Sequence, residues 1–144
     1  RQMCIRDRDR IGIKGWSYGG YMSSLAITKG ADVFKLAVAV APVTNWRYYD
    51  NIYTERYMQT PQENEKGYDE NSPINHVDKL KGKYLLIHGT ADDNVHVQNT
   101  YEMTSALVRA NKQFDLFVYP DKNHGIYSRF HLYTKITSFI EDNL

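Results

Sequence analysis

Short apolar runs alternate along this chain with stretches whose apolar residues recur at helical spacing. Ile11 and Ile13 flank Gly12 in a β-like run that stops at Gly15. Gly20 to Lys29 suits a helix, with Gly30 placed to cap its C-terminus. Leu36 to Ala41 (LAVAVA) is continuously apolar, as a strand buried on both faces must be, and Pro42 ends it. Tyr48 to Met58 is rich in aromatic residues and predicts a helix, whereas Thr60 to Asn71 is polar and reads as a loop. Ser72-Pro73 offers an N-cap followed by proline at the first helical position, so a short helix is expected there. Tyr84 to Ile87 is a second buried strand, ended by His88-Gly89. Val97 to Asn111 places Val97, Tyr101, Met103, Leu107 and Val108 close to helical spacing. Phe114 to Tyr119 predicts another strand, stopped by Pro120. From about Ser128, residues Phe130, Tyr133, Ile136, Phe139 and Ile140 mark one apolar stripe on a C-terminal helix. Strands alternating with helices in this way predict an α/β fold, a parallel sheet covered by helices on both faces.

Composition narrows the picture little further. The 144 residues suffice for one domain, and 42% apolar content is that of an ordinary packed core. A net charge of +1 provides no field that would favour nucleic acid. No apolar run approaches the roughly 18 residues of a membrane span, so no membrane contact is expected of this segment. The absence of a signal peptide carries no information on compartment if sequence is missing upstream. The single cysteine, Cys4, excludes an internal disulfide and a CxxC metal site. Residues 1–8 (RQMCIRDR) are charged and without period. They resemble translated adapter sequence and are set aside as a non-native or disordered segment, the alternative being an ordinary solvated loop. Residues 9–144 are then the folded part.

The chemistry is concentrated in Gly15-Trp16-Ser17-Tyr18-Gly19, a G-x-S-x-G motif between a predicted strand and a predicted helix. A serine on so sharp a turn has crowded neighbours two residues to either side, and glycine removes the Cβ atoms that would clash. The turn lifts the Ser17 hydroxyl above the sheet, and the following helix aims free N–H groups at the same point. The N–H of Tyr18 is then placed to donate to an oxyanion. The alternative is a glycine-rich turn with an incidental serine.

A serine nucleophile needs a histidine base and a carboxylate to hold that histidine. In this fold they follow in the order serine, acid, histidine, on loops after later strands. His124, in Asp121-Lys-Asn-His124-Gly125, fits as base. His76, His88, His96 and His131 read instead as packing, capping or solvated residues. For the acid, spacing favours Asp92 or Asp93 over Asp121, because the order rule wants a separate loop, but it does not separate the first two. Trp46, Tyr49 and Tyr53 stand at i, i+3, i+7, which packing of one helix on the core would explain. No histidine pair has a ligand spacing backed by carboxylates, so neither metal nor other cofactor is expected.

Taken together, Gly15-Trp-Ser-Tyr-Gly-Gly-Tyr21, Trp46-Arg-Tyr-Tyr-Asp50, Tyr53-Thr-Glu-Arg-Tyr57, Leu86-Ile-His-Gly-Thr-Ala-Asp-Asp-Asn-Val-His96 and Asp121-Lys-Asn-His-Gly-Ile126 resemble the dipeptidyl peptidase IV branch of the prolyl oligopeptidase family. The resemblance runs from about Asp9 to the end. It implies an α/β-hydrolase domain of which this chain is the C-terminal half, with upstream strands and a β-propeller lying elsewhere. It implies Ser17 as nucleophile, Asp92 as acid and His124 as base, in a serine exopeptidase that releases N-terminal dipeptides after proline or alanine. Tyr18, Val43, Trp46, Tyr49, Tyr53 and Val95 correspond by position to the pocket for that residue, and Asn94 to a contact with the substrate's backbone carbonyl. A compact, rigid proline ring suits flat aromatic walls, and a small pocket rejects bulky side chains by overlap. The resemblance further implies homodimers formed partly through C-terminal helices, a periplasmic or extracellular setting, and a fragment inactive alone. Other serine hydrolases of the same fold, and a silent binding homologue, are the alternatives.

Overall fold

The computed structural model describes residues 7–144. Most of the set-aside segment, Cys4 included, therefore lies outside the described residues. Four strands, β1 (Gly12–Trp16), β2 (Leu36–Val40), β3 (Lys83–Gly89) and β4 (Asp115–Tyr119), form one sheet in the order β1-β2-β3-β4. Every pairing is parallel, with Trp16 opposite Val40, Val40 opposite Ile87, and Gly89 opposite Tyr119. All four carboxyl ends therefore share one edge, and the loops that follow them meet there. Parallel strands need crossovers, here supplied chiefly by the helices α1 (Tyr18–Lys29), α2 (Asn51–Met58), α3 (Glu65–Glu70) and α4 (Gln98–Arg109), with α5 (Arg129–Asn143) closing the chain.

The period-2 geometry of the strands sorts their side chains between two cores. Leu36, Val38, Val40, Leu85 and Ile87 face α5, where they meet Leu132, Ile136 and Phe139. Ala37, Ala39, Tyr84 and Leu86 face the other way, onto Ile27 of α1 and Met103 and Leu107 of α4. Every β2 residue is buried, which is why its sequence is a continuous apolar run. Tyr84 carries its hydroxyl into this core because Ser24 Oγ lies 2.7 Å away to pair with it. Burial raises the Tyr84 pKa, so the phenol stays neutral.

Several local expectations need correcting. The helix read from Tyr48 to Met58 is broken: a 3-10 turn covers Trp46–Tyr48, Tyr49 is extended, and α2 begins only after Asp50. The Asp50 carboxylate accepts from the N–H groups of Ile52 and Tyr53, the N-cap that starts α2. The polar Thr60–Asn71 stretch contains α3, capped by Asn64, whose side chain accepts from Gly67 N. Ser72 precedes a 3-10 turn (Pro73–Lys79) but does not cap it; its hydroxyl accepts from the N–H of Trp46. His88-Gly89 belongs to β3 rather than ending it. On α4, Tyr101 and Val108 face solvent while Asn99 and Thr100 are buried. The α5 stripe divides: Leu132, Ile136 and Phe139 pack inward, whereas Phe130 is 88% exposed and Tyr133 lies on the outer face.

Candidate active site

The turn from β1 into α1 is as sharp as its glycines imply. Ser17 holds φ 56° and ψ −117°, outside the region that L-residues favour, and its N–H is tied to the carbonyl of Val40 at 2.8 Å. A Cβ on Gly15 would run into the carbonyl of Gly19. Such strain persists only where surrounding structure fixes it, and it clusters at functional sites. Tyr18 is the first residue of α1, so its N–H has no intrahelical partner and is free to bind an anion beside the serine.

The other loops of the same edge carry the remaining chemistry. His124 Nδ1 lies 2.7 Å from Asp92 Oδ2, joining the loop after β4 to the loop after β3. The Asp92 side chain is wholly buried. Its Oδ1 accepts from the backbone N–H groups of Asn94 at 3.0 Å and Val95 at 2.9 Å. Burial pushes the Asp92 carboxyl up. Hydrogen bonds from His124, His88 and the Asn94 backbone, with the charge of His124, outweigh it and hold the group well below the usual carboxylate range. Asp93 and Asp121 are exposed, so burial distinguishes Asp92 from Asp93, the pair that spacing left together.

The loops are fastened to one another. Thr90 N donates to Tyr119 O, Ala91 N donates to Lys122 O, and Asp121 N donates to Thr90 Oγ1. Gly89 permits this approach, since a Cβ there would collide with the carbonyl of Lys122. Trp16 ties the elbow to the histidine loop: its indole N–H donates to the backbone carbonyl of His124 at 3.0 Å. Among the described residues no hydrogen bond joins Ser17 Oγ to His124. A nucleophile–base bond is commonly loose until substrate closes it.

The sequence reading missed two contributors. Trp16 appeared only as the variable residue of the elbow motif, and its partner lies 108 residues away. His88 appeared as a packing histidine. Its Nε2 lies 2.8 Å from Val95 O and 3.2 Å from Asp92 Oδ2, and its Nδ1 lies 2.7 Å from Thr100 Oγ1. A histidine four residues before an acid in a buried run was the available signal.

Aromatic rings flank the elbow. Tyr18 and Trp46 are 5.9 Å apart, Trp46 and Tyr49 6.0 Å, Trp46 and Tyr53 6.3 Å, and Tyr49 and Tyr53 5.4 Å. Tyr18, Trp46 and Tyr53 line a cavity of about 410 Å³ with Tyr21 and Tyr57. Val43 and Val95 do not line this cavity; they are buried with Trp46, Tyr21 and Tyr68. The Tyr49 hydroxyl donates to Asn94 Oδ1 at 2.8 Å, which leaves the Asn94 NH₂ group for another acceptor. Among the described residues no cluster of three or more His, Cys, Asp or Glu is placed to hold a metal ion, and no helix is long and apolar enough to cross a membrane.

A parallel sheet with a serine on the strand-to-helix elbow, and a histidine–aspartate pair on later loops of the same edge, defines an α/β-hydrolase. Comparison with known proteins places it more closely. The model of the prolyl oligopeptidase family matches residues 1–144. The chain is 48% identical to prolyl endopeptidase FAP of Bos taurus and 48% identical to dipeptidyl peptidase 4 of Felis catus, in each case over 97% of this chain and 19% of the relative. The crystal structure of Porphyromonas gingivalis dipeptidyl peptidase 4 superposes with a TM-score of 0.96 at 51% identity, over 99% of this chain and 21% of that one. The chain belongs to the prolyl oligopeptidase family. It spans about a fifth of the length of these relatives.

Proposed function

We propose that this chain carries the nucleophile, base and acid of a serine exopeptidase that releases N-terminal dipeptides after proline or alanine. The observation that carries the proposal is the 2.7 Å pairing of His124 with a buried Asp92 on the edge where Ser17 is raised. His124 Nε2 takes the proton as Ser17 Oγ attacks the scissile carbonyl, then returns it to the leaving amine. Asp92 holds the Nδ1–H and stabilises the imidazolium. The N–H of Tyr18 receives the developing oxyanion, a donor worth on the order of 10²–10³ in rate. Water then cleaves the acyl-enzyme by the same steps reversed.

The aromatic rings of Tyr18, Trp46, Tyr49 and Tyr53 suit a compact, rigid ring in the residue before the cleaved bond, with Val43 and Val95 packed behind them. The NH₂ of Asn94, oriented by Tyr49, suits a backbone carbonyl of the substrate. The names of the relatives, dipeptidyl peptidase 4 among them, support the same class of reaction. The family resemblance implies that the grip on the substrate's amino group and a further oxyanion donor come from parts of the protein outside these residues. The exposed Phe130 and Tyr133 suit a second copy of the protein, in a homodimer.

The test uses the full-length protein with chromogenic Gly-Pro, Gly-Ala, N-acetylated and simple ester substrates. Turnover of the first two, abolished by Ser17→Ala, is expected. Preference for the acetylated or ester substrates would place the enzyme elsewhere in the family.

A further inference from the structure

We propose that His88 is a positioning residue for Asp92: a neutral buried imidazole that donates from Nε2 to the Val95 carbonyl at the end of the Asp92–Val95 turn, holds its ring edge against the carboxylate which orients His124, and accepts from Thr100 at Nδ1. The inference rests on the reading of Asp92 as the acid of the Ser17 site. His88 lies on β3, wholly buried. Its Nε2 is 2.8 Å from the carbonyl oxygen of Val95, and a carbonyl oxygen can only accept, so Nε2 must carry the hydrogen. Nε2 also lies 3.2 Å from Asp92 Oδ2, the oxygen that pairs with His124, so the ring edge packs against the carboxylate while its N–H points to Val95. In the neutral ring Nδ1 is then the acceptor, and the buried Thr100 hydroxyl lies 2.7 Å from it.

The arrangement fixes the acid from three sides. Backbone N–H groups of Asn94 and Val95 hold Oδ1, His88 bonds the carbonyl of the Asp92–Val95 turn and packs its ring edge 3.2 Å from Oδ2, and His124 pairs with the same Oδ2. A carboxylate free to rotate would place the His124 ring at varying angles, and catalytic geometry is sensitive to such displacements. Were His88 to adopt the other tautomer, an Nε2 lone pair would face both Val95 O and Asp92. The Val95 carbonyl excludes this, and the Thr100 hydroxyl, on the first turn of α4, then donates to the bare Nδ1.

Removing the orienting carboxylate of a triad costs about 10⁴ in kcat, whereas removing a group that orients a ligand through one intermediary costs on the order of 10–100-fold. In the full-length enzyme, His88→Leu is expected to lower kcat about 10–100-fold with KM little changed. His88→Gln, whose carboxamide N–H reaches toward the Val95 carbonyl, is expected to recover most of the loss. Thr100→Val is expected to lower kcat in the same direction by less. With ¹⁵N-labelled histidine, the ring resonances lost in His88→Gln are expected to show a protonated Nε2 and a bare Nδ1 at neutral pH. This readout needs neither turnover nor a stable leucine variant. A doubly protonated ring or an Nδ1–H tautomer would overturn the proposal, as would unchanged kcat in His88→Leu or equal losses in the leucine and glutamine variants. If Asp92→Asn leaves turnover intact, the reading of the site itself fails. If Asp92→Asn abolishes turnover while His88→Leu does not change it, only the role of His88 fails.

Discussion

At the scale of single residues, one buried carboxylate separates structure from chemistry most clearly. Asp92 stays ionised in a water-excluded position because N–H donors on two sides compensate its desolvation. Its folded pKa lies below the ordinary value of 3.8, so its stabilising contribution is present above that pH. As the pH falls below about 4, the unfolded chain takes up a proton that the folded chain resists, and the contribution is lost. Asp92→Asn is therefore expected to be less stable than the parent at neutral pH, with the gap narrowing on acidification below about pH 4. Chemical denaturation at a series of pH values checks this. The same variant in the full-length protein is expected to lose about 10⁴ in kcat, read from Gly-Pro hydrolysis. Asp92, Asp93 and Asp121 are chemically identical in the sequence. Chain order set Asp121 behind the other two, but what distinguishes Asp92 from Asp93 is burial and the direction of one loop, neither of which spacing encodes. The strand-to-helix turn at Ser17 and the loop after β4 that carries His124 were legible because their motifs are short and local. The bond from Trp16 to His124 was not, because it joins residues far apart in the chain.

At the scale of elements, the alternation of apolar runs with helical spacing gave the strands and their parallel arrangement, since a strand buried on both faces leaves an unmistakable run such as LAVAV. Where polar side chains set the local structure, the pattern was misleading. Asp50 starts α2 and splits the aromatic block, so Trp46 and Tyr53 face one another from a 3-10 turn and a helix rather than along one helix face. Asn64 likewise caps a helix inside a polar stretch that periodicity cannot see. The elbow is the element most sensitive to substitution. Gly15→Ala would force a methyl group into the carbonyl of Gly19, against backbone that cannot yield without moving α1. It is expected to cost at least about 1–3 kcal/mol, the usual range for overpacking, read as a lowered denaturation midpoint of the full-length protein. An unchanged midpoint would mean that the turn relaxes more easily than its geometry allows.

At the scale of the whole molecule, β1 and β4 are the two edges of the sheet among the described residues. Among the described residues β1 pairs with β2 alone, and beside it lies a trough of about 730 Å³ lined by Ile11, Ile13, Leu36, Ile140 and Leu144 together with Asp7, Arg10, Lys14 and Glu141. This trough lies away from the chemistry, and its apolar residues rimmed by charged ones suit protein rather than substrate. A strand with unpaired N–H and C=O groups beside apolar surface is a template for association. The 144-residue chain on its own is therefore expected to elute as oligomers or aggregates in size-exclusion chromatography with light scattering, and a stable monomer would contradict this. The order of elements foretold the sheet, but which strand is left at an edge depends on pairing that the order alone does not fix. Every catalytic step proposed for this site requires Ser17 to be an activated nucleophile. Treatment of the full-length protein with a fluorophosphonate probe, followed by peptide mapping, tests this most directly. Covalent label on Ser17, absent in Ser17→Ala and strongly slowed in His124→Ala, is the expected result. An unlabelled Ser17 in the parent protein, or labelling indifferent to His124, would contradict it.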